Sequence, residues 1–374
     1  MAQTALTEGV SVLPSILPLP PLIFLILKHL KAKSPSLPPG PYPWPLIGNV
    51  HQIGKQRHIA MIDFARSYVP LFSLRLGTQT LVVGSSAAAA REILNSYDHI
   101  LCARCVPRVI PCRITGLNGF AVGWSPECDD RWKYLRTMCR TQLFSGKAIE
   151  SQACLREKKL MEVVMFLSSM EGKELLVAGT DSSSVTVEWA MAELIRSPES
   201  LKKIREELTT EINQNMLKDS DLRKLPYLQA CLKETLRLHP PGPFLLPHRA
   251  VESCKVMNYT IPKDAQVLVN AWAIGRDPMS WEDPLVFKPE RFLNSTVDFQ
   301  GNNFEFIPFS SRRRICPGLP MAVKLIPLVL ASWIHFFDWS LPNGGDPKDI
   351  DMSEKYSANI RKEQPLLLIP KGRK

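Results

Sequence analysis

The stretch Phe309-Ser310-Ser311-Arg312-Arg313-Arg314-Ile315-Cys316-Pro317-Gly318 sets a single cysteine at the threshold of a helix. Backbone N–H groups and the positive end of the helix dipole at such a position lower a thiol's pKa and favour the thiolate. Thiolate is the form that ligates a metal. Three arginines just upstream offer partners for anionic groups. Taken alone, the stretch has two readings: a metal-ligating thiolate, or a buried structural cysteine beside a basic loop.

Working outward, four further patterns share the chain with it. Glu234-Thr-Leu-Arg237 places a carboxylate and a guanidinium on one helical face. That is a surface ion pair, or part of a buried triad if Arg291 of Pro289-Glu-Arg-Phe292 joins it. Trp132-Lys-Tyr-Leu-Arg136 sets an aromatic and a cation one turn apart. Ala178-Gly-Thr-Asp181-Ser182-Ser183 interrupts an apolar helical pattern with small and polar residues. Small residues let a flat group approach the backbone, and an acid with a hydroxyl in mid-helix can open the hydrogen-bond ladder and hold water.

The chain's 374 residues allow one large domain or two ordinary ones. Its 45% hydrophobic and 22% charged content excludes a disordered chain and a membrane bundle. A net charge of +10 suits an anionic membrane surface or an acidic partner. No zinc-finger, helix-turn-helix or RNA-binding signature accompanies it, so nucleic acid is not the expected partner. The nine cysteines have no framework spacing and imply a reducing compartment. Cys102-Ala-Arg-Cys105 is a lone CxxC, and Cys112 and Cys128 have no His or Cys at zinc-ligand spacing.

Many of the 32 prolines cluster between Pro14 and Pro45. Residues 1–31 read as an imperfect hydrophobic anchor followed by lysines, the order of a signal anchor with its basic flank in the cytosol. Residues 32–49 read as a stiff, polyproline-like hinge. Beyond it, helices are expected over 59–68, 85–96, 131–144, 149–170, 172–195, 199–214 and 226–238. Paired strands are expected over 71–76 and 80–83, with another over 265–270 and a last helix after Cys316. The class is mainly α with a small β portion, and no GxGxxG or GxxxxGK[ST] loop is present.

In this order and combination, the hinge, the WxxxR, AGxDxS and ExxR helices, the PERF loop and the cysteine loop resemble the cytochrome P450 family. The resemblance runs over most of residues 32–374. It is nearest the plant microsomal, geraniol-hydroxylase-like group in stretches such as Val187-Glu-Trp-Ala-Met-Ala-Glu-Leu194. It implies a haem-thiolate monooxygenase acting on a small lipophilic, terpenoid-like substrate. Cys316 would be the axial ligand of haem b iron. Arg314, Trp132 and Arg136 would bind haem propionates, with Arg249 and His248 as weaker candidates. Phe309 and Gly318 would flank the thiolate, and Gly179 would bring the distal helix against the porphyrin. Asp181 and Ser182 would relay protons, Leu245 and Leu246 would line the substrate side, and Glu234, Arg237 and Arg291 would form a structural triad. Electrons would come from NADPH through a separate NADPH–cytochrome P450 reductase, at the endoplasmic reticulum membrane with the catalytic domain facing the cytosol.

The resemblance also implies departures. Members of the family are longer, and the helices that roof the substrate pocket are expected where almost nothing lies between residues 171 and 175. Residues 50–374 would thus be a single catalytic domain with an internal deletion there, either an inactive remnant or the product of a reading frame that omits an exon. Ser310 and Arg312 stand where the family has glycine, at a cost of roughly 1–2 kcal/mol for a glycine conformation. Arg312 would also place a cation beside the haem. Ser182 stands where threonine is usual, which keeps the hydroxyl but loses the methyl that fixes its rotamer. Pro327 falls inside the last helix, where it removes a hydrogen bond.

Overall fold

The structure, a computed structural model, describes residues 36–107, 121–177, 182–212, 217–357 and 359–373. The chain divides into two compact units, and the second, Pro38–Lys374, carries the elements found among the described residues. The expected anchor lies outside the described residues.

The longer helices are α1 (Arg57–Ser67), α2 (Asp130–Met138), α3 (Ala153–Ser169), α4 (Ser182–Arg196), α5 (Pro198–Glu211), α6 (Pro226–Leu238) and α7 (Leu319–Phe336). The strands are short: β1 (Leu71–Leu76), β2 (Gln79–Gly84), β3 (Ala103–Arg104), β4 (Leu175–Val177), β5 (His248–Arg249), β6 (Cys254–Val256), β7 (Tyr259–Ile261), β8 (Gln266–Val269), β9 (Phe337–Ser340), β10 (Glu354–Tyr356), β11 (Ile360–Lys362) and β12 (Leu366–Gly372). The main sheet has the order β1-β2-β8-β5-β3, with β2 and β8 parallel and the other pairs antiparallel. A mainly α protein with a small β portion is what results.

The Pro-rich hinge behaves as its composition dictates, yet it does not hang free. Proline has no N–H, so at its prolines this segment can offer only carbonyls to a neighbour. Ser73 uses two of them: its N–H donates to Pro39 O at 2.9 Å and its hydroxyl to Pro38 O at 2.6 Å. Gly40 permits the contact, because a Cβ there would sit 1.9 Å from Ser73 O. The hinge is therefore docked along β1.

The strongest helical signals hold. Helix α6 occupies the expected residues, begins with Pro226 at its first turn and buries Leu228, Leu232 and Leu236. Helix α7 runs through Pro327 without a break and buries Ile326, Leu328, Leu330 and Ile334 in the largest core cluster. By length and composition it is apolar enough to cross a membrane, the one such helix among the described residues. Its packing against α3, α4, α5 and α6 makes it the core helix that carries the cysteine loop.

Three expectations need correction. The helix expected over 172–195 starts at Ser182 in the described residues, and Leu175–Val177 instead forms strand β4. Its backbone pairs antiparallel with Leu366–Leu368 of β12, whose other half pairs with β9. A free ladder on β12 satisfies those backbone groups, which outweighs local helical periodicity. The helix expected over 131–144 is α only to Met138 and then passes into a π turn over Cys139–Leu143. The helix expected over 85–96 likewise becomes a π turn after Arg91.

A buried charged cluster ties α1, α4 and α6 to the C-terminal strands. Glu354 accepts from His239 Nδ1 at 3.3 Å, Trp272 Nε1 at 3.1 Å and Arg276 at 3.1 Å, while His58 Nε2 lies 3.0 Å from its second oxygen. His239 also meets Glu193 at 2.7 Å and stacks flat on Trp189, 3.9 Å between ring centres. Burial alone would raise the Glu354 pKa, but hydrogen bonds from His239 and His58 and the Arg276 charge hold it well below the carboxylate range. A carboxyl whose folded pKa is depressed contributes stability above its unfolded value, 4.5, and that contribution is lost as pH falls through the folded pKa. Urea midpoints measured from about pH 6 down to about pH 3 should fall steeply in the natural chain. In Glu354→Gln the midpoint should be lower at the start and the slope shallower; parallel slopes would overturn the assignment.

Candidate active site

The cysteine loop folds under the start of α7. Cys316 N donates to Phe309 O at 2.9 Å, closing the loop, and Pro320 occupies the first turn of the helix. The backbone N–H groups of Gly318 and Leu319 point at the Cys316 sulfur, and Arg136 adds a positive charge nearby. The expectation of an outright lowered thiol pKa is nonetheless corrected. Burial is the larger effect and pushes the thiol up, with the N–H groups and Arg136 opposing it. A bound cation supplies the missing charge in a metal site and deprotonates a coordinating thiol.

Above the sulfur lies a cavity of about 270 Å³. Phe309, Ile315, Cys316 and Pro317 line one side, Ser182, Ser183 and Thr186 of α4 another, and Leu245 and Leu246 a third. Trp132, Arg136, Arg104 and Arg314 complete the wall, and no Asp or Glu is among the described lining residues. Three guanidinium groups thus share one cavity with no carboxylate among its described lining residues. Burial lowers the pKa of each, and for Arg104 burial together with the Arg314 charge brings it down to about 9. Such a set favours a ligand carrying two negative charges.

The structure shows what holds this wall. Asp129 caps α2 by accepting from Trp132 N at 2.8 Å. The Trp132 indole N–H donates to Val122 O at 3.0 Å, and the Arg314 guanidinium lies 4.7 Å from the indole ring. Arg314 also donates to Cys102 O at 2.7 Å and Ser125 O at 2.9 Å. Arg136 has no carboxylate partner among the described residues and remains half-buried in the cavity.

The remaining expected residues fall as follows. Gly179 and Asp181 lie outside the described residues. Ser182 opens α4 and lines the cavity, and its carbonyl accepts from Thr186 Oγ1 at 2.7 Å. Gly318 lies at the mouth of α7, where an added Cβ would be 3.9 Å from Cys316 Sγ. Arg249 is not among the lining residues; it pairs with Asp264 at 2.8 Å and Glu127 at 2.9 Å. Its neighbour His248 is buried instead, with Nδ1 2.7 Å from Leu101 O and Nε2 unpartnered, beside Arg104 and Arg314. Sequence reasoning missed Arg104, whose guanidinium donates to Leu246 O at 2.6 Å. Its only signal was a charged residue inside an apolar, cysteine-bounded run.

Glu234, Arg237 and Arg291 do come together. Arg237 grips Glu234 with two bonds of 2.8 Å, and Arg291 Nε reaches the same carboxylate at 3.0 Å. Glu234 and Arg237 are buried.

The loop glycine positions also resolve. Ser310 and Arg312 both have positive φ, +67° and +52°, the region that resists a side chain. Arg312 is exposed and does not line the cavity above Cys316; it borders a surface cleft together with Trp132 and Arg136. Ser310 is buried and its hydroxyl has no partner. Ser310→Gly should therefore raise stability more than Arg312→Gly, because it removes an orphaned hydroxyl as well as strain. About 1–2 kcal/mol is expected for each, read from urea midpoints. Shifts of zero or below would show that the loop does not store this strain, and equal gains would show that the Ser310 hydroxyl costs nothing.

Comparison with known proteins decides the family. The family profile described as Cytochrome P450 matches residues 38–165 and 167–368. The chain belongs to the cytochrome P450 family. It is 37% identical to (S)-N-methylcoclaurine 3'-hydroxylase isozyme 1 of Eschscholzia californica, covering 90% of this chain and 94% of that protein. It is 33% identical to cytochrome P450 76C2 of Arabidopsis thaliana, covering 89% and 91%. It is 31% identical to geraniol 8-hydroxylase of Catharanthus roseus, covering 93% and 96%. The first of these alignments spans 463 positions, more than the 374 residues of this cytochrome P450, so the relative carries internal sequence absent here. By family the chain is a monooxygenase of the plant hydroxylase type.

Proposed function

We propose that this cytochrome P450 inserts one oxygen atom from O2 into a small lipophilic, terpenoid-like substrate, the second atom leaving as water. The observation that carries the reading is the cavity joining Cys316 to three arginines, with no carboxylate among its described lining residues. Haem b, iron protoporphyrin IX, would supply the dioxygen chemistry when bound. Cys316 would ligate its iron, and Trp132, Arg104, Arg136 and Arg314 would hold its carboxylates. Ser182, with Asp181, would hold and pass protons on the α4 side, and Thr186 fixes the Ser182 carbonyl. Leu245 and Leu246 would exclude water and pack against the substrate. NADPH would act indirectly, through NADPH–cytochrome P450 reductase docking at the basic cysteine face. Residues 1–31 would anchor the chain in the endoplasmic reticulum membrane, with residues 32–49 as hinge and the domain from residue 50 in the cytosol.

A second reading has its own support. The alignment is longer than the chain, and α3 leaves Leu155, Met165 and Phe166 exposed, as an element stripped of its cover would. On this reading the segment missing near 171–175 removes the roof, and the chain is an inactive remnant that at most binds haem, or the product of an omitted exon. The transcript across the codons for Glu171–Leu175 tests the omission directly. The reduced carbon-monoxide difference spectrum of the expressed chain tests the function. A thiolate-type Soret band is expected. A chain that folds without taking up haem would overturn the first reading, and haem without that band would favour the second.

A further inference from the structure

Two cysteines that the cofactor reading leaves unused meet behind the arginine wall. Cys102 precedes β3, and Cys128 precedes α2. The backbone bond from Arg104 N to Pro126 O, 2.7 Å, holds the two segments side by side. Cys128 Sγ donates to Cys102 O at 3.7 Å and Cys102 Sγ to His99 O at 3.9 Å, which sets the two thiols beside each other. Arg314 binds the Cys102 carbonyl at 2.7 Å and lies near enough to both sulfurs to act on them electrostatically. Cys102 is buried and Cys128 half-buried, so the pair opens to solvent on one side only.

We propose that Cys102 and Cys128 are a redox modification site, closing reversibly to a disulfide in response to hydrogen peroxide. The roles follow from the geometry: Cys128 Sγ gives its proton to the Cys102 carbonyl and so stays a thiol. The electrostatics agree in direction: the adjoining Cys128, opposed by burial and Asp98 and helped by Arg313 and Arg314, lowers the Cys102 thiol pKa, and the same contact and burial raise that of Cys128. Cys102 is the nucleophile and Cys128 the resolving thiol. The Cys102 thiolate attacks one peroxide oxygen, the O–O bond breaks, and the other oxygen leaves as hydroxide, which takes up the proton released by the Cys102 thiol and becomes water, giving a sulfenic acid on Cys102. Cys128 sulfur then attacks that sulfur, its proton leaving with the displaced hydroxyl as a second water. The two thiols lose two electrons and the peroxide gains them. Thiol–disulfide exchange with a reductant reverses the change. A dithiol of this kind in a reducing compartment is a sensor rather than a permanent staple. Its closure ties the Arg314 carbonyl anchor to the base of the Trp132 helix, so the oxidation state of the pair is coupled to the cofactor cradle.

The test needs no haem, which keeps its failure distinct from failure of the monooxygenase reading. The full chain is exposed to hydrogen peroxide, alkylated, digested with trypsin without reduction and analysed by mass spectrometry. Peptide 92–104 should appear joined to peptide 114–131, alkylation of both should be lost together, and dithiothreitol should restore both. In Cys128→Ser, Cys102 should be trapped as a sulfenic acid by dimedone. Links from Cys128 to Cys105 or Cys112, or both peptides remaining alkylated after peroxide, would overturn the proposal, and neither outcome depends on how a variant folds.

Discussion

Arg237→Ala will leave the chain without a stable fold. Its guanidinium is buried and spends its donors on five acceptors: both oxygens of Glu234, and the carbonyls of Gly275 at 2.5 Å, Pro284 at 2.7 Å and Val286 at 3.2 Å. Truncation strands a buried carboxylate with Arg291 and the Lys288 N–H as its remaining partners, at 3.0 and 2.8 Å. Breaking a buried pair in this way costs about 3–5 kcal/mol, a large fraction of the 5–15 kcal/mol that stabilises a typical domain. Lysine will not rescue it, because a point charge cannot form the two-pronged bond to Glu234 or reach three carbonyls at once. The expected observation is loss of soluble chain, or of a cooperative urea transition, in both Arg237→Ala and Arg237→Lys. A normal transition in the lysine variant would show that charge alone, not fork geometry, holds the site.

The ease of reading this part of the fold from sequence has a physical cause. Glu234 and Arg237 are one turn apart, so helical periodicity alone puts them together, and only Arg291 had to be supplied by another element. The same holds for Trp132 with Arg136 and for the cysteine at the mouth of α7. What could not be read is what depends on distant pairings. Strand β4 exists because β12 offers it a ladder. The Glu354 cluster gathers His58, His239 and Arg276 from separate elements, and Arg104 becomes a cavity residue only because Leu246 O and Gly123 O receive it. Arg249 was misjudged for a related reason. In β5, successive side chains alternate between faces, so His248 is buried while Arg249 reaches the surface. The positive φ at Ser310 and Arg312 shows the reverse case: knowing which residue type a turn demands exposed a strain that periodicity cannot report.

Cys316→Ser carries the largest expected effect on chemistry and tests the cavity directly. The two side chains are nearly isosteric, the backbone bond from Cys316 N to Phe309 O is untouched, and a serine oxygen can still accept from the Gly318 and Leu319 N–H groups. Folding should therefore change little, with the urea midpoint close to that of the natural chain. The chemistry should change completely. A serine hydroxyl stays protonated where a thiol beside Gly318 and Leu319 N–H groups and Arg136 can ionise once a cation approaches, so the variant cannot offer an anionic sulfur to iron. In the cytochrome P450 family that thiolate pushes the electron density that favours O–O cleavage. The expected result is a folded protein whose reduced carbon-monoxide spectrum lacks the thiolate-type Soret band and whose monooxygenase turnover is absent. Arg136→Ala separates the ligand from its surroundings. It removes a charge that helps both the thiolate and an anionic cofactor, and should lower haem content while keeping the thiolate-type band in whatever haem remains. If Cys316→Ser retains that band, another residue is the ligand and the cavity reading fails at its centre. If Arg136→Ala leaves haem content unchanged, the arginine wall is structural and the cofactor is held by packing alone.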